Sequence, residues 1–388
     1  MVPATLRTYA APAALTSLAA TIAFAAAGPT AFGGAGAPTS HVECGDTITA
    51  DTTLENDLVD CPNNGIVIGA DGITLDLNGH TVDGNREPVE RCPRKQPCDV
   101  GLFNDGHDGV AVRNGAVREF GAGVVVGRAR DNRLVGISSS RNQFFGFVIA
   151  ESTRSLVRDS SGNDNPGPDG DGIGVFGSRH LRILDSSFRR NELGMHVEDS
   201  SDVLIKGNVI ARTPGPGILM QANGNQVRRN RCVRNATCII VGPGSRNVIA
   251  RNRSIRDGEG IAIEKGRGNL VALNVVVRAR RDGIRLGIGD PAIGGVDTVV
   301  RRNFVSASGD DGFLVAKSDR GALLQANIAR SSGGDGFQVR SDSAQLGRNR
   351  ALRNGGLGIA AVPGVFDRGG NLARRNRDAR QCTNVWCS

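Results

Sequence analysis

Four side chains in this sequence combine a reactive type with a regular placement: Asp171, His196, Asp282 and Arg285. Asp171 and Asp282 each stand just before a glycine, Gly172 and Gly283; His196 and Arg285 each stand two residues after one, Gly194 and Gly283. If those glycines mark equivalent positions, the four project from one surface. A carboxylate, an imidazole and a guanidinium there could take up a proton, return it and hold a developing anion. Asp171 also closes an acidic stretch, SSGNDNPGPDGDG (160–172), with Asp164 and Asp169. Carboxylates so clustered can bind Ca2+, which takes six to eight oxygens. Asp, Gly, Asn and Pro are equally the residues of plain turns, and the stretch reads as a turn first. No motif demands another cofactor.

Further charges recur. Arg189, Arg212, Arg234, Arg256 and Arg278 follow one another at steps of 22 or 23 residues, and Arg118, Arg353 and Arg380 hold the same place elsewhere. Glu259, Asp282, Asp311 and Asp335 stand just before successive glycines. Like charges stacked about 5 Å apart in water cost on the order of 1 kcal/mol per pair. Either the two series neutralise each other, or the arginine stripe binds a polyanion whose charges repeat along it. Composition narrows the partner: 43 arginines against 4 lysines, a net charge of +8 and only 4% aromatic residues. With few aromatics to stack on bases, nucleic acid is disfavoured; an acidic polysaccharide or wall polymer fits a basic surface.

The elements that must position these residues follow from a repeat of about 22. A glycine opens a unit at Gly65, Gly101, Gly123, Gly146, Gly172, Gly194, Gly217, Gly260, Gly283, Gly312, Gly336 and Gly358, with Cys238 in the missing slot. Apolar residues follow at the next position and two beyond, the period of a strand with one face inward. A small polar residue recurs later in each unit, from Asn78, Asn114, Gly136, Asp159 and Asp185 to Asn208, Asn230, Asn252, Asn274 and on to Asn376. It is expected at a left-handed corner, with its amides bonded along the column. Thirteen units of three short strands, each paired in parallel with the next unit, predict an all-β, right-handed parallel β-helix solenoid.

In this pattern the chain resembles the pectate-lyase-like β-helix superfamily, and in particular the secreted bacterial proteins built of right-handed β-helix repeats. The resemblance covers about residues 65–380. It implies a substrate groove along the strand that follows the corner before each opening glycine. PDGDGI is similar to the Asp-Gly signature of polygalacturonase-type glycosidases, and GDDGF (309–313) to their paired-Asp motif. Those enzymes need both carboxyls on adjacent coils, whereas Asp171 and Asp311 fall six units apart. Lyase chemistry in the superfamily uses a base, often Arg or Lys, beside a metal or cationic clamp.

Outside the repeat, residues 1–37 read as a secretory signal peptide: Arg7, then the apolar run 11–27, then small residues. The run is too short for a stable membrane span, and no other stretch could cross a bilayer. Residues 38–64 are expected to cap the first coil, 65–381 to form the solenoid and 382–388 a second cap. The eight cysteines fall into close pairs, Cys44 with Cys61, Cys92 with Cys98, Cys232 with Cys238 and Cys382 with Cys387, as in an exported disulfide-bonded chain. Trp386, the sole tryptophan, reads as a lid on the core. The sequence thus predicts an exported or surface-bound monomer that engages acidic polysaccharide, as a lyase acting through Asp171, His196, Asp282 and Arg285. The alternatives are a non-catalytic surface or wall scaffold and, third, a uronan glycoside hydrolase.

Overall fold

A computed structural model describes residues 39–87, 99–167, 170–288 and 294–388. The leader 1–37, Asp169 and the Cys92–Cys98 pair lie outside the described residues. What is described is a right-handed parallel β-helix without α-helices. First strands from Asp46–Ile48 to Cys382–Thr383 pair in parallel, fifteen in succession, in one sheet. Second and third strands run on the other sides in a 27-stranded sheet. Most strands have three residues, too few to stand alone, so each is held by its equivalent one coil away. No helix among the described residues is long and apolar enough to cross a membrane.

Alternation along the first strand builds the core. Ile173, Met195, Ile218, Ile239, Ile261 and Ile284 stack in register, each at most 1% exposed. Burial of each contributes about 1.5–3 kcal/mol. Phe313 and Phe337 extend the column with stacked rings, centroids 4.6 Å apart. The opening glycine has a steric cause. A Cβ on Gly260 would lie 2.1 Å from the Gly283 carbonyl oxygen, and one on Gly194 would lie 2.4 Å from that of Gly217. Cys238 stands in this slot and is bonded through its sulfur to Cys232.

The asparagine column is a hydrogen-bonded ladder. Asn252 Oδ1 accepts the Asn230 backbone N–H (2.9 Å) and its Nδ2–H (3.1 Å), while Asn252 Nδ2 donates to the Val227 carbonyl (2.8 Å). The chain of such bonds runs from Asn208 to Asn371. The sequence series, however, merged two positions. Asn78, Asn114, Gly136, Asp159 and Asp185 are left-handed corner residues, whereas later coils fill that corner with Arg229, Arg251 and Leu273. The ladder residue comes one place later and is Ser160 and Ser186 in the early coils. Asn376 belongs to a different ladder, with Asn354.

Both expected caps add strands to the solenoid. Asp46–Ile48 and Leu58–Cys61 pair with the strands above them, which raises the thirteen units to fifteen first strands. Cys382–Thr383 likewise pairs with Ile359–Ala360. Trp386 does not cover the core: it is 86% exposed, its backbone N–H bound by Asp367 Oδ2. The disulfide Cys382–Cys387 and the chain-end bridge from Asn371 to Cys387 do the anchoring, and the indole is left outside. Cys44–Cys61 and Cys232–Cys238 are also bonded, the pattern of a chain that folds in an oxidising compartment.

Candidate functional site

The four chemically placed residues do share the outer face of the first-strand sheet, but as two groups. His196 and Arg285 stand in one outward column with Leu219, Ile240 and Ala262 between them, four coils or about 19 Å apart.

The first group centres on His196. The register puts Asp171 opposite Leu193 and Gly174 opposite His196, so Asp171 and the imidazole meet across adjacent coils. His196 Nδ1 lies 3.7 Å from Asp171 Oδ2; its Nε2 lies 3.0 Å from Gln221 Oε1 and 3.8 Å from Glu198 Oε2. The Phe176 ring stands edge-on to the imidazole at 5.4 Å, and Phe145 edge-on to Phe176 at 6.1 Å. Gly174 makes room for this: a Cβ there would sit 2.5 Å from the Phe176 ring. The His196 side chain is only 6% exposed. Burial works to lower its pKa, but hydrogen bonds to Asp171 and Gln221 and the charges of Asp171 and Glu198 outweigh it, and the net direction is upward. The result is an imidazole held by acids and covered by aromatic rings, suited to passing a proton on and off.

The second group is locked. Arg285 Nε donates to Glu259 Oε1 (2.6 Å), Nη2 to Glu259 Oε2 (3.1 Å) and Glu264 Oε1 (3.2 Å), and Nη1 to the Gly287 carbonyl (2.5 Å). Glu259 is 2% exposed. Burial acts against the guanidinium charge, yet Glu259 and Glu264 hold its pKa above the ordinary value. Arg285 is thus a cation whose donors are taken up by Glu259, Glu264 and the Gly287 carbonyl. Beside it, Asp282 Oδ1 accepts the Asp311 N–H, Asp311 Oδ1 the Asp335 N–H, and Asp335 Oδ1 the Leu357 N–H. Burial pushes all three carboxyls upward, Asp311 to about 6.

The remaining expectations divide. Asp164 is ion-paired with Arg190 and Asp171 with His196, so the two described members of the calcium trio face different partners. In the arginine series the register replaces Arg189 by Arg190, since Arg189 aligns with Ala211, whereas Arg190, Arg212, Arg234, Arg256 and Arg278 hold equivalent left-handed corners. Arg118, Arg190 and Arg380 pair with Asp83, Asp164 and Asp378. Arg212, Arg234, Arg256 and Arg278 are exposed, and the acidic series turns to Arg285 and backbone amides instead. Mutual neutralisation of the two series does not occur there. Gln221, Phe145 and Phe176 were missed by the sequence reading; the bare Gly174 at an outward position was the available signal.

The fold and repeat thus define a right-handed parallel β-helix protein. The profile of the family described as periplasmic copper-binding protein (NosD) matches residues 104–283, less than half of the chain. No curated protein sequence matches. Among solved structures, the A-module of mannuronan C-5 epimerase AlgE6 from Azotobacter vinelandii is 12% identical, with a TM-score of 0.48 over 80% of this chain and 90% of that one. PfbA, a surface adhesin of Streptococcus pneumoniae, is 12% identical, with a TM-score of 0.45 over 81% of this chain and 82% of that one.

Proposed function

We propose that this protein binds an acidic polysaccharide and cleaves it by β-elimination on the first-strand face, with Asp171 and His196 moving the proton. The observation that carries the reading is the imidazole set between Asp171, Gln221 and Glu198 beneath Phe176. In the step, neutral His196 takes the proton α to a uronate carboxylate. The C–H electron pair becomes the new C=C bond, the C–O bond to the neighbouring sugar breaks, and the leaving oxygen receives a proton from the imidazolium. Asp171 orients the ring and stabilises its charged form. Because the imidazole pKa is raised, the reactive neutral form grows as pH climbs above the ordinary histidine range.

The near-complete burial of His196 supports a second reading, a non-catalytic scaffold in which the cluster only holds adjacent coils together. Hydrolysis has less support, since Asp171 and Asp311 stand six coils apart, about 29 Å. Copper binding has no fitting donor set among the residues described. Among the described residues the only three close donors are Cys232, Cys238 and Asp257, and the two sulfurs are bonded to each other; a thiolate is what a soft ion requires.

The test is ultraviolet detection of unsaturated products from polygalacturonate and other polyuronates. Wild type should form product at a rate that rises with pH, and His196→Gln should lower that rate at least about 100-fold with little change in melting temperature. Equal rates in wild type and variant would remove the site; no product from any polyuronate would leave the scaffold.

A further inference from the structure

Between Val203 and Arg256 the chain carries ten lysines and arginines and no aspartate or glutamate, whereas the whole sequence is net +8. The excess positive charge of the protein therefore sits in this block, and the remainder is net acidic. The block folds into little more than two coils, from Leu204–Lys206 to Arg253–Ile255. Arg231 pairs directly with Arg253 on the third strand. Arg229 and Arg251 hold equivalent left-handed corners on one side of that strand, and Arg234 and Arg256 on the other. All six are exposed, and none has an ionic or hydrogen-bonding side-chain partner among the described residues. They form a grid of two rows of three, spaced about 4.8 Å along the rod and, between Arg229 and Arg231, about 6.6 Å across it.

Such a grid is self-repelling and is relieved by a ligand that carries its own row of anions. Guanidinium forks match carboxylates and sulfates in a bidentate way. Between Arg212 and Arg278 the described third strands carry no aromatic side chain to stack on bases. The one large exposed apolar side chain of this face is Leu273, too little to insert into a bilayer. We propose that this third-strand side, with Arg212 and Arg278 at its flanks, docks a linear acidic polysaccharide, away from the Asp171–His196 face. The inference rests on the polysaccharide part of the proposed function and not on its elimination chemistry.

Titration calorimetry with polygalacturonate across a sodium chloride series tests it. Replacing Arg229, Arg231, Arg251 and Arg253 together by Gln should lower affinity roughly tenfold or more at low salt and flatten its salt dependence. The same four-charge change at Arg330, Arg348, Arg350 and Arg374, exposed arginines of later coils, should have much less effect. Affinity is read here by heat and elimination by ultraviolet absorbance, so failure of this inference is distinguishable from failure of the catalytic one. Should the quadruple variant lose its cooperative melt, the pair Arg231→Gln and Arg253→Gln carries the test, with a smaller loss in the same direction. Unchanged affinity in the folded grid variant, or equal losses in both quadruple variants, overturns the proposal. So does tighter binding by wild type of duplex DNA or phosphatidylglycerol vesicles than of polygalacturonate.

Discussion

The His196 and Arg285 clusters occupy one face, use the same register positions and draw on the same few residue types, yet their chemistry is opposite. Arg285 has two carboxylate partners from the preceding coil, plus the Gly287 carbonyl, so its charge is fixed and its donors are engaged. His196 has acids at 3.7 and 3.8 Å, a close contact to a neutral amide, and the Phe176 ring edge-on to it. A buried charge in a complete set of bonds braces the sheet. A buried titratable ring beside acids can change its protonation state. The difference begins with the group that carries the charge: a guanidinium stays protonated throughout the working pH range, whereas an imidazole titrates within it.

The largest expected effect breaks the locked cluster. Glu259→Gln should lower stability by about 3 kcal/mol, because it leaves Arg285 buried beside a neutral amide with Glu264 as its one remaining carboxylate. His196→Gln should cost clearly less. Denaturant melts of the two variants decide this, and equal losses would mean that both clusters are structural braces.

Next comes pH. Asp257 and Asp311 have pKa values pushed by burial to about 6, and Asp319 to about 7. Folded values above the unfolded one mean that their protonated forms favour the native state. That contribution is complete below pH 3.8 and is lost as pH rises through 6 and 7. His196, also raised, acts in the same direction from its ordinary value upward. Asp57, Glu119, Asp131 and Asp378, held low by hydrogen bonds and neighbouring charges, act in the opposite direction but only below about pH 4. Melting temperature should therefore fall between pH 5 and 7.5, and less steeply in Asp311→Asn. A rise over that range would show that the acid column titrates normally.

The smallest effect sharpens the description of the catalytic candidate. Gly174→Ala would press on Phe176 and open the imidazole to water. Since burial is the influence that lowers the His196 pKa, its NMR titration should move further upward, by a few tenths of a unit. No movement would mean that Phe176 is not what shields the ring.

The solenoid was legible because its cause is local: the opening glycine, the two inward apolar positions and the corner amide recur within each coil. Asp171 and His196 could be placed on one face for the same reason. Errors arose where one coil's chemistry substitutes for another's. Serine at the early ladder positions hid the one-residue offset between corner and ladder, and this displaced Arg189 into a column that belongs to Arg190. The bonds from Arg285 to Glu259 and Glu264 depend on side-chain reach across coils, which spacing does not encode. Trp386 was misplaced because a close pair of cysteines specifies a loop but not which way its middle residue faces.

The asparagine ladder has one more consequence. Its rungs connect residues 22 apart in most coils, but 29 apart from Asn274 to Asn303 and 24 apart from Asn303 to Asn327, with the same bond lengths. The repeat is thus defined by bonding and not by length. Extra residues in one coil are bypassed at the next rung and do not shift the strands that follow. Loops can lengthen or shorten at the corners as independent modules while the faces that carry His196, Arg285 and the arginine grid keep their mutual alignment.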